Sequence, residues 1–181
     1  MPGFKQKEVK RENMTKSSSG FTLIEMIVYT AILSIVFVIV VNTLLVLSRS
    51  YRSIKLTNDI NNSASLALER LTRDIRSAES VNTSSSVIGS SPGELVLNAT
   101  IDGSSTTLDF YVNNGALMLD VGGVLLGSLT RDNIEVTNLV FRHRMGTNGE
   151  TVKIEMTLRG TEKNVIKEEN FYSTVVLRGS Y

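Results

Sequence analysis

Glu25 is the one charged side chain between Lys16 and Arg49. It lies near the start of residues 20–50, GFTLIEMIVYTAILSIVFVIVVNTLLVLSRS, an apolar run long enough to span a bilayer. A carboxylate at mid-membrane costs about 2.5–3.5 kcal/mol on insertion scales and usually has a partner, and near the cytoplasmic end the cost is smaller. The rest of the chain offers little competing chemistry. His143, between Arg142 and Arg144, is the single histidine, and there is no cysteine. Disulfides, thiolate metal sites and cysteine nucleophiles are therefore excluded, and a metal site would rest on carboxylates alone. Asp102, Asp109, Asp120 and Asp132 are scattered without calcium-loop spacing. Val121-Gly-Gly-Val124 lacks the spacing and following lysine of a phosphate cradle, and is expected to be a loop. Neither an enzymatic head, a metal site nor a cofactor is expected.

At 181 residues the chain has room for one membrane helix and one small domain. Residues 1–20 are polar and carry five basic against two acidic side chains, a charge of +3. The remaining 14 basic and 16 acidic residues leave −2, so a basic nucleic-acid-binding surface is not expected. Positive charge before an apolar helix keeps that end in the cytoplasm, giving an N-in, C-out chain. The apolar run is longer than the roughly 7–15 residues of a secretory signal, and no small-residue cleavage site follows it.

Past Ser50 the pattern changes without a break. Ile60, Ala64, Leu68, Leu71, Ile75 and Ala78 form a helical stripe, with Arg52, Lys55, Asp59, Glu69, Arg70, Arg73, Asp74 and Arg76 expected to face solvent or neighbours. No proline occurs between Phe21 and Ser91, so one helix is expected over about 22–81, on the order of 90 Å at 1.5 Å per residue. The arginines 70, 73 and 76 form a ridge whose simplest reading is a solvated face with weak helical ion pairs.

The serine-rich stretch 82–93 ends the helix as a connector. Strands are expected at 94–98, 106–112, 116–121, 134–144, 151–159 and 171–178, with hairpin turns at Asn114-Gly115 and Asn148-Gly149. Alternation is cleanest in Val152, Ile154, Met156 and Leu158. An antiparallel sheet over residues 94–181, covering the helix stripe, buries both. The expected class is α+β: a leader over 1–20, a membrane and assembly segment over 21–50, and a head over 51–181.

The basic leader, Gly20, Phe21, Thr22-Leu23-Ile24 and Glu25 together resemble the precursor signature of type IV pilins and pseudopilins, Gly-Phe-Thr-Leu-Ile-Glu before an apolar helix. The resemblance implies a pilin-like fold. It also implies cleavage between Gly20 and Phe21 by the prepilin peptidase, a membrane aspartic peptidase, and methylation of the new Phe21 amine. Glu25 is implied to pair with the N-terminal amine of a neighbouring subunit. The implied partners are that peptidase, other pilins or pseudopilins through the N-terminal helix, an inner-membrane assembly platform and membrane lipid. The absence of glycine or proline between Phe21 and Ser50, the lack of a C-terminal cysteine pair, and the runs Leu71–Arg76 and Leu108–Leu117 are most similar to J-type pseudopilins of type II secretion and W-type minor pilins. The contrasting expectation is a stand-alone, N-in signal-anchored protein with a β-rich binding domain outside the cytoplasm.

Overall fold

The computed structural model describes residues 20–146 and 149–178. The expected leader before Gly20, and Asn148 of the second expected hairpin turn, lie outside the described residues. The chain divides into two compact units, Met1–Leu45 and Val46–Tyr181.

The first unit contains the opening part of helix α1 (Leu23–Ser77). From Phe21 to Leu45 every residue is exposed except Glu25, which is half-buried. The apolar segment is long enough to cross a membrane, and none of it is covered by protein. A helix is the conformation that satisfies every backbone group within such a segment. Its hydroxyls follow the same rule. Thr30, Ser34 and Thr43 donate to the carbonyls of Met26, Thr30 and Ile39 at 2.5, 2.8 and 2.9 Å.

In the second unit the expected stripe is buried at Ile60, Ala64, Leu71, Ile75 and Ala78 and joined by Leu56 and Ala67, whereas Leu68 is only partly covered. Among the described residues eight strands follow: β1 (Ser80–Val81), β2 (Leu95–Ile101), β3 (Ser104–Asn113), β4 (Ala116–Val121), β5 (Val124–Ser128), β6 (Ile134–Gly146), β7 (Gly149–Glu162) and β8 (Val165–Val176). They form two antiparallel sheets, one ordered β1-β2-β3-β4-β5 and the other β6-β7-β8, where a single sheet was expected. Phe110 and Leu119 from the first sheet and Phe141 and Ile154 from the second share one core with Leu56, Ile60, Leu71 and Ile75 of α1. The alternation at Val152, Ile154, Met156 and Leu158 is the buried face of β7.

Several local expectations are corrected. The helix stops at Ser77, not near Val81. The chain there exchanges helical bonds for bonds to the strands: Glu79 N–H donates to the Asn98 carbonyl of β2 at 2.8 Å and Val81 N–H to the side-chain Oε2 of Glu150 in β7 at 3.0 Å. The loop expected at Gly122-Gly123 is there, as a two-residue hairpin turn with both φ values positive, 59° and 81°, as glycine permits, but the strand after it was not expected. It leads into β5, whose run Val124-Leu125-Leu126 is wholly exposed and so carries no alternation. The last two strands are longer than expected, because Lys163-Asn164 turns β7 directly into β8. Asp74, expected on the polar face, is buried; its carboxylate accepts from Arg70 Nε at 2.6 Å. Asp59 likewise turns to the head, bound by Arg131 at 2.9 Å.

Helix and sheet approach closely at Gly160 of β7. A Cβ there would lie 2.6 Å from Leu56 Cδ1, 3.0 Å from Ile60 Cγ1 and 3.1 Å from Ile134 Cδ1. Gly160→Val should therefore overpack the core and lower the stability of the full chain in detergent by about 1–3 kcal/mol, read by denaturant unfolding.

Candidate processing and assembly site

The site is built by the first turn of α1. Thr22 is the N-cap: its Oγ1 accepts the Glu25 N–H at 3.3 Å, and its carbonyl accepts the Met26 N–H at 3.2 Å. Thr22-Leu-Ile-Glu25 thus has capping-box spacing. The carboxylate, however, is turned along the helix: Glu25 Oε1 accepts the Tyr29 hydroxyl at 2.9 Å. A negative charge in the first turn also suits the positive end of the helix dipole. The Tyr29 ring meets Phe21 edge-on, with centroids 5.9 Å apart and planes at 76°. Phe21, Glu25 and Tyr29 follow one another at four-residue steps, and so share one side of the helix.

Gly20 stands just outside this turn. A Cβ on it would meet nothing within 4 Å. The chain's own packing therefore does not require glycine there. A requirement for a small residue would have to come from a protein that grips the segment.

Glu25 differs from the hydroxyl residues Thr30, Ser34 and Thr43 of the same segment. The hydroxyls of Thr30, Ser34 and Thr43 are returned to their own helix, whereas a carboxylate has about four acceptor positions. Tyr29 is the only side chain that donates to it among the described residues. The arrangement holds a half-satisfied anion at the start of an apolar helix, which suits recognition of a cation.

Several of the head's polar groups are engaged in structure, whereas Arg52 Nε, Ser63 Oγ and Asp109 Oδ1 are buried without a hydrogen-bond partner. His143 Nε2 lies 3.0 Å from Glu150 Oε2, the oxygen that also receives the Val81 N–H, and the Glu150 carbonyl accepts from Leu177 N–H. This largely buried pair, with the Val81 N–H on the same carboxylate, pins the chain after α1 to the β6-β7 hairpin. A Gly-x-Ser-x-Gly spacing occurs at Gly89–Gly93, but it lies in the connector before β2 rather than at a strand-to-helix elbow. Ser91 Oγ accepts there from Leu139 N–H at 3.2 Å. Of the arginine ridge, Arg70 is paired with Asp74, and Arg73 lies 3.7 Å from Glu69.

The chain matches the family described as the prokaryotic N-terminal methylation motif over residues 15–41. That segment contains Gly20, Phe21 and Glu25 and the opening of α1. No curated protein and no solved structure matches the chain. The motif and the apolar helix support a membrane-anchored, type IV pilin-like protein, and the motif implies processing by prepilin peptidase and assembly with other pilins.

Two carboxylates that look scattered in the sequence are brought together by register: Asp109 of β3 faces Asp120 of β4. Among the described residues, no group of three histidine, cysteine or acidic side chains is placed to hold a metal. Burial, then the charge and proton-sharing contact of Glu94, then the charge of Asp120, push the Asp109 carboxyl up from 3.8 to about 6. The folded chain therefore holds a proton that the unfolded chain releases between those two values. Folding is favoured as pH falls through this window and penalised above it. Asp109→Asn should raise the melting temperature at pH 7.5, with the gain shrinking as pH approaches 4. An equal gain at both pH values would show that the carboxylate's charge is not the cause.

Proposed function

We propose that this protein is a minor structural subunit, a pseudopilin or minor pilin, of a type II secretion pseudopilus or a type IV pilus. Its precursor is held in the cytoplasmic membrane with the N-terminus inside and the head outside. Prepilin peptidase cuts between Gly20 and Phe21 and methylates the Phe21 amine. The inner-membrane assembly platform then moves the subunit into a fibre. Its sequence pattern is similar to that of J-type pseudopilins and W-type minor pilins. The head has a structural role and is not an enzyme.

The observation that carries this reading is the lone, half-satisfied carboxylate of Glu25 at the start of an otherwise exposed apolar helix. Released from the leader, the amine of a neighbouring subunit is the complementary charge at the same end of the same kind of helix. In lipid each charge relieves the desolvation of the other. The methylation motif over the same residues supports the assignment.

The test is mass spectrometry of the protein from its native membrane, together with fibre incorporation. The mature chain should start at Phe21 with one added methyl, and Gly20→Leu should keep the leader while leaving the fold unchanged. Glu25→Ala should be cut normally but enter fibres at least about tenfold less well, the effect of roughly 1.4 kcal/mol in pairing. An intact Met1 in the wild-type protein would contradict cleavage and favour a stand-alone anchored protein.

A further inference from the structure

Tyr29 places an aromatic ring and a phenol inside the apolar helix, four residues after the carboxylate. Its hydroxyl donates to Glu25 Oε1 at 2.9 Å, and its ring packs edge-on to Phe21 at 5.9 Å. One side chain therefore touches both the residue that becomes the N-terminus and the residue that receives a neighbour's N-terminus. Edge-to-face packing sets the ring's direction, and a ring fixed in this way aims its hydroxyl.

Two costs bear on Glu25 before a partner arrives. Its carboxylate is short of hydrogen bonds in lipid. Its side chain would also lose rotamer freedom when captured. The Tyr29 hydrogen bond reduces both: it satisfies one oxygen and holds the side chain along the helix, leaving acceptor positions on the other oxygen for an incoming ammonium. Nearby hydroxyls do not substitute, because Thr30 and Ser34 donate to backbone carbonyls.

Resting on the assignment of Glu25 to assembly, we infer that Tyr29 is a positioning residue for the intersubunit pair. It stabilises the carboxylate in the membrane-stored subunit and presents it, with the Phe21 ring, as one preformed surface to the ammonium of the next subunit. Tyr29 would thereby tune how readily this chain enters a fibre, without touching cleavage.

The test uses the full chain and Tyr29→Phe, which keeps the ring and removes only the hydroxyl. With tyrosines labelled at Cζ, the subunit in detergent micelles should give a Tyr29 phenol NMR signal, identified by its loss in Tyr29→Phe, that shifts in Glu25→Ala. In membranes, Tyr29→Phe should be cleaved and methylated as wild type but enter fibres about three- to tenfold less well, the scale of one lost hydrogen bond. Adding Tyr29→Phe to Glu25→Ala should reduce incorporation no further. A phenol signal unmoved by Glu25→Ala would overturn the contact. Wild-type incorporation of Tyr29→Phe beside defective Glu25→Ala would overturn the role of Tyr29 alone and leave that of Glu25 standing. Normal incorporation of Glu25→Ala would remove both.

Discussion

Lipid supplies no hydrogen bonds, and that constraint orders the first half of α1. The segment is helical with neither glycine nor proline from Phe21 to Ser50, and the Thr30, Ser34 and Thr43 hydroxyls are folded back onto its carbonyls. Against that background one carboxylate remains half-satisfied. Its value lies in what it lacks. A group that costs free energy alone in lipid and is stabilised by a cation on another helix makes association selective for partners that present a cation at the matching depth.

The second half of α1 obeys a different constraint. Here the stripe from Leu56 to Ile75 is covered by both sheets rather than left for lipid. The fit is close enough at Gly160 to exclude a side chain. Polar residues on this part of the helix also serve the head. Asp59 binds Arg131, and Asp74 is buried with Arg70. The Glu150–His143 pair then fixes the chain where it leaves the helix. The packed face of α1 is thus tied to the head by the Asp59–Arg131 ion pair as well as by apolar contact, and the chain just after α1 is tied to β7 by the Val81–Glu150 hydrogen bond.

Periodicity made much of this legible in advance. The stripe at Ile60, Ala64, Leu71 and Ile75 has a 3.6-residue repeat, and Val152 to Leu158 repeats every two residues, so burial left a direct trace in residue order. Gly20, Phe21 and Glu25 were legible as a local motif. What escaped was non-local. The partition into two sheets depends on which strands pair, and the facing of Asp109 and Asp120 depends on register. Strand β5 has no buried face, so it offered no alternation to find. Burial of Asp74 depends on a partner on the same helix and on the chain packed over it. Tyr29 was visible only as a mildly polar residue in an apolar run; its contacts with Glu25 and Phe21 need rotamers, which residue spacing permits but does not specify.

Pairing of Glu25 with an ammonium on another chain is the central claim, and zero-length carbodiimide crosslinking of assembled fibres tests it most directly. Peptide mass spectrometry should find the Glu25 carboxyl joined as an amide to the N-terminal amine of a neighbouring pilin, with isotope-labelled subunits showing that the two peptides come from different chains. Fibres that crosslink elsewhere but yield Glu25 joined only within its own chain, or not at all, would contradict the account.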